Sequence, residues 1–249
     1  MITNMFLHGL FLLIAGIGAG LGGSIAGIGS IYSYPALLII GLNPLDANVT
    51  NSVSLTFVSI GAVIGSKPEW LPKKKLLMKM APATFIGGIC GALLLLNTPV
   101  TSLRIIIPYL LIFSSLAVLY PRKSSSSEVT RSKFVIVTII AGVIGIYSGY
   151  FGAGSGSMTI VILMQLLSLE IKVAQAMKNL LIGVANGVAA FAFIFSGHVH
   201  WLVAIPLAIG CYIGGRTGPV IVRRMNQKYL KIITSISGLV LATWLLIRQ

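Results

Sequence analysis

Gly27-Ile28-Gly29-Ser30 interrupts a chain that is apolar on both sides of it, and Gly152-Ala153-Gly154-Ser155 interrupts the second half in the same way. Each break is followed, at nearly the same distance, by a second polar signal: Ala47-Asn48-Val49-Thr50-Asn51-Ser52, then Ala174-Gln175-Ala176-Met177-Lys178-Asn179. The chain reads as two copies of one design. Paired interruptions at matching positions of two apolar halves are the best sequence pointer to a membrane transporter's substrate site.

Composition agrees with that class. Of 249 residues, 56% are hydrophobic and 9% charged, with no polar stretch long enough to build a soluble domain. Such a surface belongs in lipid. The net charge of +14 does not indicate nucleic acid, because the basic residues sit in short connections between apolar segments. Ten such segments are read, at 6–21, 31–42, 49–65, 76–96, 100–120, 134–151, 158–169, 174–195, 201–222 and 230–247. They lack the alternation of membrane strands, so the expected fold is an all-α integral membrane protein of two inverted repeats, about five segments each. The repeats occupy 1–120 and 133–249, and the serine-rich stretch 121–132 links them.

Charge sets the expected orientation. Fifteen of the eighteen Lys and Arg lie in the connections after segments three, five, seven and nine, all on one face. The positive-inside rule makes that face, and the linker, cytoplasmic and puts both termini outside. The first segment lacks the positive flank of a cleavable signal peptide.

Length locates the breaks. Residues 6–42 make roughly 55 Å of continuous helix, less than two crossings of a core about 30 Å thick once the turn is subtracted. The turn is therefore expected below the membrane surface as a broken or re-entrant helix, and the second break, at 134–169, is expected from the opposite side. Irregular backbone at that depth needs protein or a water-filled cavity around it. Gly27, Gly29, Gly152 and Gly154 would let backbone amides approach a ligand, with a helix start aimed inward. Ser30, Ser155 and Ser157 add hydroxyls, and Lys178 or Arg216 a charge, which suits a small anion.

Competing readings stand beside these. Four-residue glycine spacing, as in Gly61/Gly65, Gly87/Gly91 and Gly210/Gly214/Gly218, serves helix packing. Thr50, Asn51, Ser52 and Lys178-Asn179 either cap helices or complete the walls of one site. Arg216 either contacts substrate or snorkels to its helix end.

The glycine break followed by Pro35, the Ala-x-x-Thr-x-Ser signal beginning at Ala47, and the degenerate second copy resemble the sulfite exporter TauE/SafE family, also called the toluene sulfonate uptake permease group. The likeness runs over essentially the whole chain. It implies a bacterial inner-membrane secondary transporter, an exporter, for sulfite, small organosulfonates or related anions, working by alternating access between the repeats. The chain departs from the family pattern at Ser30 and Ser155, where a third glycine is common, and at Met177-Lys178, where the second copy often has threonine. A passive anion channel and a non-transporting membrane structural or assembly protein are the alternatives.

Other chemistries find little support. Asp46, Glu69, Glu128 and Glu170 are the only acids, and all fall at segment ends or connections, so no enzyme is expected. His198 and His200 read as an interfacial turn rather than metal ligands, and Cys90 and Cys211 as buried packing residues. Neither break has the lysine and strand-to-helix context of a phosphate loop, so no cofactor is expected. The expected partners are a small anion and lipid, not nucleic acid; glycine faces pack within or between chains, which leaves oligomeric state open.

Overall fold

The computed structural model describes residues 2–103, 105, 106, 109, 110, 112 and 131–223. The tenth segment, much of the fifth and most of the linker lie outside the described residues. Within them there is no strand. The helices are α1 (Ile2–Ala26), α2 (Ser30–Ile39), α3 (Pro44–Gly65), α4 (Lys67–Trp70), α5 (Lys74–Leu96), α6 (Arg131–Tyr150), α7 (Ser155–Leu166), α8 (Ile171–Ile194) and α9 (Trp201–Val222), and the described residues between 100 and 112 are helical as well.

Six of the described helical spans are long and apolar enough to cross a membrane. The two that follow the breaks are not. α2 has 10 residues and α7 has 12, roughly 15 and 18 Å, which is about half of a bilayer core. A left-handed glycine at each break, Gly27 at φ 78° and Gly152 at φ 79°, stops the long helix before it, a backbone conformation that a side chain would strain. α1 runs on to Ala26, past the expected end at 21, and α8 starts at Ile171 rather than 174.

Packing exchanges helices between the halves. α1, α3 and α9 pack on one another, and α5, α6 and α8 do likewise, so each group of three contains one helix from the other half. The groups meet along α3 and α8. Glycines set the tightest contacts: a Cβ at Gly20 would lie 2.5 Å from the Cys211 carbonyl, and one at Gly61 2.6 Å from that of Tyr212. Gly87 and Gly91 face the α6 backbone, and Gly210 and Gly214 that of α1. Lipid tails offer helices no hydrophobic drive to associate, so close backbone approach supplies the dispersion contact instead. Large apolar side chains such as Ile86, Ile139 and Leu202 are exposed on the outside of the helices, as a lipid-facing surface requires. Cys211 is buried as expected, but Cys90 is exposed on α5 rather than buried in packing.

Polar locks hold both ends. At the end carrying Lys67 and Lys172, Arg223 donates to both Glu69 carboxylate oxygens at 2.7 and 2.9 Å and to the Gly65 carbonyl at 3.0 Å. The hydrogen bonds to Glu69 raise the guanidinium further above its ordinary pKa. At the other end, both rings of the expected interfacial turn bond to one carboxylate, His198 Nδ1 at 2.7 Å and His200 Nε2 at 2.9 Å from Asp46.

This packing predicts that Gly214→Leu, whose side chain would meet the Ile17 carbonyl and lie 2.8 Å from the Leu21 amide, destabilises the protein in detergent by about 3 kcal/mol. Gly9→Ala, with nothing within 4 Å, should instead gain up to about 1 kcal/mol of helix propensity. Thermal melts of the two variants check the pair.

Candidate functional site

The two breaks meet. A Cβ on Gly27 would overlap the backbone of Gly156, and one on Gly156 would lie 2.5 Å from Gly27 Cα and 2.9 Å from Lys178 Cδ, so neither position has room for a side chain. The contact brings the end of α1 against the start of α7.

A helix ending inside a membrane leaves its last four carbonyls without helical partners. In α1 the Gly23 carbonyl keeps its bond from Gly27 N at 2.9 Å, and residues of the second half serve it together with the carbonyls of Ser24, Ile25 and Ala26. Lys178 Nζ donates to Gly23 O at 2.7 Å and Ser24 O at 2.9 Å. Gln175 Nε2 donates to Ile25 O at 2.7 Å, and the Ser157 hydroxyl donates to Ala26 O. The relation is partly reciprocal. Asn48, which holds in α3 the place of Gln175 in α8, donates to the Tyr150 carbonyl at 3.0 Å at the end of α6. The Tyr147 hydroxyl holds the second break through Ala153 O at 2.7 Å.

Beside this junction lies a cavity of about 40 Å³. Water needs about 10–15 Å³ of such space, so the cavity holds a few waters or a compact polar group. Gly27, Gly29, Ser30, Gly152, Ser155, Lys178 and Asn179, all singled out from the sequence, line it. Leu55 and Ser59 from α3 and Ile182 and Asn186 from α8 close the sides. No acidic residue lines it. Ser30 is 1% exposed, and its hydroxyl has no hydrogen-bond partner. Neither α2 nor α7 has a side chain capping its start.

Electrostatics follows from these ends. α1 and α6 finish beside the cavity and α2 and α7 begin there, so two negative helix poles offset two positive ones, each about half a charge. The ammonium of Lys178, 1% exposed, is then the net charge of the site.

The other expected residues lie elsewhere. Gly154, left-handed at φ 74°, is the residue before α7, and Ser157 is committed to α1. Thr50 accepts from the His200 amide at 3.2 Å, Asn51 Oδ1 accepts from Ser33, and Ser52 is buried in α3; none lines the cavity. Arg216 is exposed on α9 and lines no part of it. Sequence reasoning missed Ser59 and Asn186, although both stand twelve residues after the alanine opening the second motif, Ala47 in one half and Ala174 in the other. It also missed Ser148, which donates to Asn186 Oδ1 at 2.8 Å. A smaller cavity of about 20 Å³, lined among others by Ser24, Glu69, Lys172, Gln175 and Arg223, lies on the basic side and shares Asn179 with the central one.

Comparison with known proteins agrees with this membrane architecture. The description "Sulfite exporter TauE/SafE" matches residues 12–245. "Probable membrane transporter protein YfcA" of Escherichia coli K12 is 30% identical over 249 residues, covering 98% of this chain and 91% of its own. "Probable membrane transporter protein ORF9" of a Sinorhizobium species is 31% identical over 241 residues, covering 95% and 91%. "Probable membrane transporter protein YunE" of Bacillus subtilis 168 is 27% identical over 256 residues, covering 91% and 93%. No solved structure matches. The paired glycine breaks, the six long apolar helical spans and a match over nearly the whole chain place this protein in the sulfite exporter TauE/SafE family of membrane transporters.

Proposed function

We propose that the protein is a secondary transporter that exports a small anion, sulfite or an organosulfonate, across the cell inner membrane. The observation that carries this reading is a cavity between the two breaks where, among the described residues, Lys178 is the only charged lining residue and the buried Ser30 hydroxyl has no partner. Burying a hydroxyl unpaired costs about 1–3 kcal/mol, an expense that a bound ligand would offset.

The exchange of α5 and α9 between the helix groups supports an inverted repeat, 1–120 against 133–249, because each half then donates the equivalent helix to the other. Alternating access follows as a rocking of the two groups about the α3–α8 contact, where Gly183 approaches Ser59. Lys178 acts here as a fixed positive pole, tied to α1 while it faces the cavity. The Glu69–Arg223 end is cytoplasmic on this reading, and the Asp46–His198–His200 end outside. A cysteine placed at Gly197 should react with an impermeant reagent on intact cells and one at Lys74 should not; the reverse pattern would overturn the orientation.

Two substitutions test the site. Ser30→Ala should weaken anion binding about tenfold while leaving the melting temperature unchanged or higher, since it removes an unsatisfied hydroxyl. Lys178→Gln should lower both affinity and melting temperature, because the charge that attracts the anion also holds the end of α1. Binding isotherms and melts of the purified variants check both. Full affinity in Ser30→Ala, or in folded Lys178→Gln, would contradict the site.

A further inference from the structure

Two amides in the cavity wall have their oxygens engaged by buried partners. An ammonium can only donate, so Lys178 Nζ, 2.6 Å from Asn179 Oδ1, requires that Asn179 present its oxygen there. Asn186 Oδ1 accepts from the Ser148 hydroxyl at 2.8 Å, itself 3.3 Å from the Ser155 hydroxyl. Both residues line the cavity, and both are left with the NH₂ group to offer. Two of the carbonyls nearby are already occupied. Gly23 O accepts from Lys178 and from Gly27 N at 2.9 Å, and Gly152 O accepts from Ser155 N at 3.2 Å and from its hydroxyl at 2.8 Å.

A wall of this kind treats two oxyanions of equal size differently. An oxygen without a proton accepts from the amides. An oxygen that carries one brings its O–H against another donor, and the hydrogen bond is replaced by a repulsion. Serine hydroxyls do not discriminate in this way, because they rotate to donate or to accept. We propose that Asn179 and Asn186 are specificity-determining residues that make the site select compact oxyanions carrying no proton. The inference rests on the anion reading above and adds to it which protonation form is bound. The cavity of about 40 Å³ sets the compactness.

Sulfate and phosphate separate the two claims, since at neutral pH the first has lost all its protons and the second has not. The purified full-length protein should bind sulfate on the order of tenfold more tightly than phosphate. Sulfite affinity should rise with pH through the last ionisation of sulfite, while sulfate affinity stays flat. Asn186→Ser, which installs the hydroxyl found at the equivalent Ser59, should keep binding and bring the sulfate-to-phosphate ratio toward one. Asn186→Asp should lose sulfate more than phosphate, because an acceptor now faces the ligand. Equal affinity for the two anions, or an unchanged ratio in a folded Asn186→Ser, would overturn the amide assignment and leave the anion site standing. Absence of binding by any of the three anions would overturn the anion reading and this inference together.

Discussion

The structure depends on the buried end of α1. Gly27 N still bonds Gly23 O, but the carbonyls of Ser24, Ile25 and Ala26 lie beyond the last helical amide, and each would cost several kcal/mol if buried unsatisfied. Lys178, Gln175 and Ser157 supply their donors from the other half of the chain. These bonds tie the halves together and hold Lys178 beside a cavity. The first half returns the favour more sparsely. Asn48 reaches the end of α6, but Asn51, at the position equivalent to Lys178, leaves its amide nitrogen unpaired. On the proposed reading the site is a two-fold design with one charged side.

The proposed function rests on that asymmetry. A symmetric junction of four helix ends would be nearly neutral, since carbonyl ends and amide ends offset. Replacing one of two equivalent polar residues by lysine makes the junction attractive to an anion, while hydrogen bonds to carbonyls make burial of the ammonium tolerable. The long helices around it carry a different task. Glycine faces on α1, α5, α6 and α9 let backbones approach closely within each group of three, and α3 and α8 join the groups.

The sequence showed the breaks because Gly27, Gly29, Gly152 and Gly154 stand in apolar surroundings where any interruption is visible. Lys178 and Asn179 were legible for the same reason. What was not legible was which way each polar group faces. Ser157 and Lys178 stand out as ligands in the sequence and bond the end of α1 in the structure, a role that requires knowing that α1 stops beside them. Arg216 is conspicuous in an apolar run, yet its helix turns it outward. Asn186 and Ser148 sit singly within long helices and carry no local signal; only their pairing across space, or the match of Asn186 to Ser59 between the halves, marks them. The Asp46–His198–His200 cluster, formed from residues about 150 positions apart, was hidden by the same distance.

The central claim is that an anion is held between the two breaks. Selenate, an isostere of sulfate with a strong anomalous scatterer, tests it most directly when the protein is crystallised with it. The account predicts one anomalous peak within hydrogen-bond reach of Ser30, Asn179 and Asn186, on the cavity side of Lys178. A peak confined to the smaller cavity beside Arg223, or none in the central cavity of a protein that binds selenate in solution, would contradict it.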